Sequence, residues 1–338
     1  MERKLFEPIS INQVTLKNRI AMSPMCMYAC EQEDGKVTPF HITHYESRAV
    51  GQTGLVMLEA TSIQPEGRIS PQDLGIWEDS QIKDLKHLTS RIHAHGAKSG
   101  IQLAHAGRKA RNSGPILAPS PIAFNENLES PNEMTTGDID ETIKAFKNAA
   151  RRAKEANFDI IEIHAAHGYL INQFLSPLTN HRNDEYGGTK ENRYTFLQKA
   201  IEAVQSENDS PIFVRISASE YHKDGNSYED FVYFSNQMKN QGVALVDCSS
   251  GGVVPAQITP YPGYQVPFAE KLKHDVGIKT GAVGLITNGA QAEEILRNNR
   301  ADLVFIGRPM LLNPYWTKQV SDELDVKIEA PSSYQKIW

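Results

Sequence analysis

Eight short apolar runs, separated by amphipathic stretches, recur along the chain at residues 20–25, 55–60, 99–104, 160–164, 212–216, 245–248, 279–283 and 303–306. Runs this short and this continuously apolar read as parallel strands buried on both faces, since a half-exposed strand would alternate with polar residues. The stretches between them keep one helical face apolar, with Ile139, Ile143, Phe146, Ala150 and Ala153 in one and Tyr194, Leu197, Ile201 and Val204 in the next. Ser227 with Asp230 matches a capping box, and Asn288 stands where the cap of a helix carrying Ala292, Ile295 and Leu296 belongs. Eight β/α units with no break in composition predict an α/β fold, a single (β/α)8 TIM barrel over residues 1–338. Residues 5–11 and 14–20 flank a polar turn and predict an N-terminal β-hairpin that plugs the barrel floor. The long irregular stretch 107–134 after the third strand, with Pro115, Pro119, Pro121 and Pro131, predicts a functional loop or lid.

Composition narrows the partners. A net charge of -6 without runs of like charge gives no electrostatic reason to expect nucleic acid or an anionic membrane. No stretch is long and apolar enough to span a bilayer, and the N-terminus lacks the apolar core of a signal peptide, which predicts a cytoplasmic protein. Cys26, Cys30 and Cys248 are too few for a disulfide framework or a four-cysteine iron–sulfur cluster.

In a TIM barrel the reacting groups project from the C-terminal ends of the strands. Read in order, those ends carry Cys26, then Glu59, Gln102 with His105, His164 with His167, Arg215, Ser249, Gly281 with Gly284, and Gly307 with Arg308. Gly307 admits close backbone approach and Arg308 can grip an anion with two donors, so with the turn ending at Gly284 they read as a phosphate site or, more plainly, as a tight turn beside a surface arginine. Arg215 ends an apolar strand, where its charge requires either an anionic ligand, such as a reduced flavin, or a buried salt bridge to Glu59 or Asp247. His164 and His167 leave the fourth strand together with Tyr169. The pair suits core packing, metal ligation, or an oxyanion hole that polarises an α,β-unsaturated carbonyl while Tyr169 supplies a proton to Cα. The metal arrangement lacks a His-x-His or an equivalent set of ligands on the first strand, Ser-Pro-Met-Cys, and on the sixth, Val-Asp-Cys-Ser-Ser. No Gly-x-Gly-x-x-Gly follows a strand, so NAD(P)H is expected as a visiting hydride donor with ping-pong kinetics rather than as a resident.

Five segments in order carry a resemblance: Lys-Asn-Arg-Ile-Ala-Met-Ser-Pro-Met-Cys-Met-Tyr, Gln-Leu-Ala-His-Ala-Gly-Arg-Lys, Ile-His-Ala-Ala-His-Gly-Tyr-Leu, Ser-Pro-Leu-Thr-Asn-His-Arg-Asn-Asp-Glu-Tyr-Gly-Gly and Glu-Asn-Arg. End to end, the chain resembles the Old Yellow Enzyme family and, within it, the YqjM-like branch of bacterial NADPH dehydrogenases. The resemblance implies an ene-reductase that binds FMN, takes hydride from NADPH and reduces the C=C bond of small electrophilic substrates, namely α,β-unsaturated carbonyls and nitro compounds. It implies FMN contacts at Ser23, Pro24, Met25, Cys26, Ala60, Gln102, Arg215, Gly284, Gly307 and Arg308, with Cys26 tuning the flavin's potential. It implies a carbonyl-binding pair in His164 and His167, a proton donor in Tyr169, and a substrate mouth lined by Tyr28 and Lys109. It implies a homo-oligomer, with one departure: Lys336 stands where the branch carries an Arg that reaches a neighbouring subunit's active site, and Lys lacks the planar fork. Two rival readings remain open at this stage, a metal-dependent barrel hydrolase or lyase using His164, His167 and His105, and a non-catalytic flavin-binding protein.

Overall fold

The computed structural model describes residues 3–111 and 114–338. Met1 and Glu2, part of the N-terminal stretch read above, and Asn112 and Ser113, part of the long loop, lie outside the described residues. Eight parallel strands close into a barrel in chain order: β1 (Ile20–Met22), β2 (Leu55–Ser62), β3 (Lys98–Ala104), β4 (Ile160–Ala165), β5 (Ile212–Ser217), β6 (Leu245–Ser249), β7 (Thr280–Ala282) and β8 (Leu303–Ile306), with β8 pairing back to β1. The TIM barrel expected from the sequence is therefore present. The first and seventh runs are shorter than expected, because Ser23, Pro24, Met25 and Val283 leave the sheet and enter the loops above it.

Helices cover the outside: α1 (Pro39–Val50), α2 (Ile82–His93), α3 (Thr136–Glu155), α4 (Lys190–Gln205), α5 (Tyr228–Asn240), α6 (Val266–Val276), α7 (Gly289–Arg297) and α8 (Trp316–Glu323). Their starts follow local chemistry. Thr135 and Asp138 form a reciprocal capping box on α3, Ser227 and Asp230 do so on α5, and the Asn288 side chain accepts the Gln291 N–H at the start of α7. Outward strand residues such as Ile161, Ile163, Val214 and Val304 join the apolar faces of the helices in the larger core, where Phe146 of α3 is fully buried.

Inward residues form a second, smaller core. Leu55 and Met57, Ile160, Phe213, Leu245, Leu303 and Phe305 pack there against Ile9, Ile11, Val14 and Leu16 of an antiparallel hairpin. The expected floor plug exists, but its strands are only Ile9–Ile11 and Val14–Leu16; Leu5 lies in a preceding 3-10 turn and Ile20 already opens β1. Gly281 is consumed by this core, since a Cβ there would lie 2.4 Å from the Phe305 ring. The loop after β3 is tied down by buried arginines: Arg108 donates to Ile122 O and Ala123 O, and Arg182 to Pro119 O and Met134 O. The C-terminal segment packs on its own chain through Tyr315, Tyr334 and Trp338, leaving Lys336 exposed.

The two kinds of contribution differ in size. Phe146→Ala is expected to destabilise the protein by about 3–5 kcal/mol through a core cavity, and Thr135→Ala by about 1 kcal/mol through a lost cap. Urea unfolding midpoints of the two variants at equal protein concentration should rank in that order.

Candidate active site

Strand alternation dictates what faces the axis above the apolar floor. On β4 the series Ile160, Glu162, His164 points inward; on β5 it is Phe213, Arg215, Ser217, and on β6 Leu245, Asp247, Ser249. On β2 the register slips between Leu58 and Ala60, so that Ala60 pairs with Gln102 while Glu59 is the extra residue of a bulge. Glu59 consequently bonds away from the axis, accepting from Tyr45 of α1 at 2.9 Å and from the Met27 N–H at 2.8 Å.

Gln102, Glu162, Arg215 and Asp247 form one buried polar layer. Gln102 Nε2 donates to Glu162 Oε1 at 2.7 Å, and Arg215 Nε lies 3.3 Å from Asp247 Oδ2. The structural salt bridge weighed for Arg215 is thus formed with Asp247 and not Glu59. It uses only one edge of the guanidinium, because Nη1 reaches Ser23 Oγ, 3.1 Å away, just past β1. Burial pushes both carboxyls up, and for Glu162 the nearby Asp247 adds to the effect. Both Asp247 oxygens and Glu162 Oε2 lack a hydrogen-bond partner.

The next layer up holds the imidazoles. His164 Nδ1 accepts the Ala166 N–H at 3.2 Å, which leaves Nε2 as its N–H donor. His167 takes up φ +58°, with its own N–H donated to Ser217 Oγ at 2.8 Å. Its Nε2 lies 2.7 Å from Ser249 Oγ, which also accepts from Gln265 Nε2; with the Ser249 proton turned to the ring, Nδ1 is the His167 donor. Both rings are neutral: burial first, then the Arg215 and Lys109 cations, hold His167 down at about 3 and His164 well below the usual range, where His167 adds to the effect. The rings meet edge to face at 5.2 Å, and Tyr169 stands edge-on to His164 at 4.9 Å. Burial pushes the Tyr169 phenol and the Cys26 thiol up, so both keep their protons. His105 is turned elsewhere, its Nδ1 accepting the Gly107 N–H and its ring against Gly67. Among the described residues no group of three His, Cys, Asp or Glu side chains is arranged to hold a metal ion.

Two cavities open here. One of about 670 Å³ is lined by Ser23, Pro24, Met25, His167, Arg215 and Ser249 at its inner end and by Gly284, Gly307 and Arg308 at its outer end. A side chain would fill part of it: Gly307 has only Met25 Sδ, 3.6 Å away, near a would-be Cβ, and Gly284 takes φ +116°, closed to other residues. The second, about 610 Å³, is a mouth formed by Tyr28, Ile69, Lys109, Phe124, Leu128 and Tyr169, with Arg111 at its edge. Lys109 donates to two backbone carbonyls, His167 O and Gly252 O.

Comparison with known proteins identifies this arrangement. The model of the NADH:flavin oxidoreductase / NADH oxidase family matches residues 4–327. The chain belongs to that family. It is 60% identical over 338 residues to an NADPH dehydrogenase of Halalkalibacterium halodurans, covering 100% of both chains. Among solved structures it is similar to morphinone reductase, with a TM-score of 0.81 and 27% identity over 98% of this chain and 92% of that one. It is also similar to an old yellow enzyme homologue from Zymomonas mobilis, with a TM-score of 0.83 and 26% identity over 96% and 94% of the two chains. This member of the family is an FMN-dependent oxidoreductase that takes hydride from NAD(P)H.

The residues present fit FMN. The larger cavity falls within the roughly 300–1,000 Å³ range of cofactor sites. It offers a buried guanidinium at one end and, at the other, an exposed arginine beside two glycines with room for an anion. Sequence reading located Ser23, Arg215, His167, Tyr169, Gly307 and Arg308 at these cavities but passed over Gln265 and Phe124 there and Glu162 and Ser217 nearby; His164 is buried beside His167, and Cys26, Ala60 and Gln102 line neither cavity. Glu162 was within reach, standing two residues before His164 on the same inward face.

The two raised carboxyls carry a pH consequence. They bind protons more tightly folded than unfolded, so their contribution to stability falls as pH rises from the ordinary glutamate value of 4.5 toward the raised value of about 8. Glu162→Gln removes that loss. Its thermal midpoint is expected to decline less than the parent's between pH 5 and 8, and to exceed it at pH 8; parallel curves would contradict the assignment.

Proposed function

We propose that this oxidoreductase is an ene-reductase: hydride from NADPH, passed by way of FMN, is delivered to Cβ of an α,β-unsaturated carbonyl or nitroalkene, with donor and acceptor using the same site in turn. The observation that supports it most is the pair of neutral imidazoles at the top of β4, each carrying one N–H, beside a protonated phenol. FMN, when bound, supplies the hydride relay; everything else is done by side chains of this chain.

His164 Nε2 and His167 Nδ1 donate to the substrate's carbonyl or nitro oxygen and stabilise the charge that builds there as hydride reaches Cβ. Tyr169 gives its proton to Cα, and burial keeps that proton in place until a strong base forms. Arg215, the buried cation at the inner end of the cavity, favours an anionic ligand edge, and Gln102 is held for the same edge by Glu162. Gly284, Gly307 and Arg308 would hold the cofactor's phosphate, while Ser23, Pro24, Met25 and Ala60 would line its ring. Cys26, kept as a thiol beside the Ala60 backbone and the Tyr28 hydroxyl, would tune the ring's potential. Tyr28 and Lys109 shape the mouth. The reading treats residues 1–338 as one FMN-binding domain that assembles as a homo-oligomer and leaves the exposed Lys336 for a neighbouring copy. Among the described residues no helix is long and apolar enough to cross a membrane.

The purified protein should be yellow, bleach with NADPH under anaerobic conditions and recover its colour on addition of cyclohexenone. A colourless protein, or one that bleaches and never recovers, would end this reading. His164→Ala should slow reoxidation by cyclohexenone about 100-fold or more, one oxyanion donor being worth on the order of 3 kcal/mol, with FMN still bound. Tyr169→Phe should impair enones and spare quinones, whose reduction needs no proton at carbon; equal loss on both, followed by stopped-flow absorbance, would remove Tyr169 as the donor.

A further inference from the structure

The turns that follow β4 and β6 lie backbone against backbone. His167 and Gly168 of the first take φ +58° and +72°, and Gly251 and Gly252 of the second +74° and +92°. A Cβ on Gly168 would stand 2.0 Å from Gly252 O, and one on Gly252 would stand 2.8 Å from the His167 backbone. Ser217 Oγ stitches the two turns together, accepting the His167 N–H at 2.8 Å and donating to Gly251 O at 2.7 Å. Such close packing brings two carbonyls, His167 O and Gly252 O, toward one point.

That point is occupied by the Lys109 ammonium, 2.8 Å from His167 O and 2.6 Å from Gly252 O. The rings of Phe124 and Tyr169 flank it, with centroids 4.1 and 5.5 Å from Nζ. The neighbouring Arg108 fastens the same turn and the long loop, donating to Val253 O, Ile122 O and Ala123 O. Lys109 therefore spends two of its three N–H donors on backbone, and the carbonyl it holds first belongs to the residue whose imidazole faces the cavity. A left-handed conformation is uncommon for a residue with a side chain, and it persists only where the surroundings hold it.

We propose that Lys109 is a positioning residue for His167: its ammonium clamps the carbonyls of His167 and Gly252, locking the left-handed turn that aims the imidazole into the site. This rests on the reading above, in which His167 donates to the substrate oxygen. It departs from a Lys109 that merely lines the mouth, because the effect is transmitted through His167 and not by touching the substrate. Burial has pulled the lysine down to about 8, with Arg108 and Arg111 adding to the effect, which fits an ammonium enclosed by protein.

A double-mutant cycle on the FMN-loaded protein tests it. Two quantities are read, the dissociation constant of 4-hydroxybenzaldehyde from the change in flavin absorbance, and kcat and KM for cyclohexenone. Lys109→Met is expected to weaken the phenol about 10-fold and lower kcat on the order of 10–100-fold, a misplaced donor costing up to about 100-fold, with KM changing less. In a His167→Ala background the same substitution should cost less than about 2-fold, since the donor it positions is gone. Lys109→Gln, which keeps N–H donors for the carbonyls, should recover part of the loss, and it takes the place of Lys109→Met in the cycle if that variant fails to retain FMN. Equal losses from Lys109→Met in both backgrounds, or none with His167 intact, would overturn the clamp while leaving the ene-reductase reading in place. A His167→Ala variant that binds and turns over like the parent would overturn the donor role of His167 and the clamp together.

Discussion

Inside a closed eight-stranded barrel, every second residue of each strand must point at the axis, and little water follows it there. The lower part of this barrel answers with hydrocarbon, and the N-terminal hairpin completes the seal. One layer higher the chain places an amide, two carboxyls and a guanidinium in the same dry space. Burial displaces both acids toward their neutral forms, with Asp247 adding to the effect on Glu162, while Arg215 works in the opposite direction on both. Its Nε faces Asp247 while Nη1 emerges beside Ser23 at the cavity. What looks like an expensive structural salt bridge is therefore only half structural, since the other edge of the guanidinium is presented to a ligand.

The same constraint sets the charge of the histidines. Two imidazoles buried close together and within reach of Arg215 and Lys109 cannot take up protons, which leaves them as neutral donors over the physiological range. In the proposed reaction that is the useful state. A neutral N–H polarises a carbonyl oxygen and keeps its proton, so the proton for carbon has to come from a separate acid. Tyr169, packed edge-on against His164 and retained as a phenol, is the adjacent group with a proton to give. The stabiliser and the acid are thus separated by their environments rather than by residue type.

Much of this was legible in the sequence, for identifiable reasons. Strands buried on both faces leave continuous apolar runs, so all eight were found within a few residues, and polar side chains at their ends stood out against that background. The failures are equally physical. Val283 after Ala282 is as apolar as strand and carries no mark of where the sheet lets go, whereas Pro24, which has no N–H for the ladder, is the overlooked sign that the first run ends before it. The bulge at Glu59 adds one residue without altering the pattern, so a carboxylate that reads as part of the barrel mouth is bonded instead to α1 and the loop after β1. Glu162 is hidden for a related reason: in Ile-Ile-Glu-Ile a lone acid looks like a break in an apolar run, and only Gln102 of β3 and Arg215 of β5 show why it is tolerated.

The motifs that carried the family resemblance divide in a way their spelling does not reveal. Asn180, Arg182 and Arg193 touch neither cavity; they serve carbonyls. Arg193 donates to Leu175 O, Gly188 O and the Asn226 side chain, Arg182 to Pro119 O and Met134 O, and Asn180 to Phe174 O and Tyr186 O. Long loops around a barrel mouth bury carbonyls that no helix or strand satisfies, and a guanidinium, with five donors in a rigid fork, can serve several from one position. Arg108 does the same for the wall that carries Phe124, and Lys109 extends the device by one residue into the turn of His167. The chemistry at the cavity is thus supported from behind by cations bonded to backbone, and the precision of the imidazole pair depends on how firmly those few points hold.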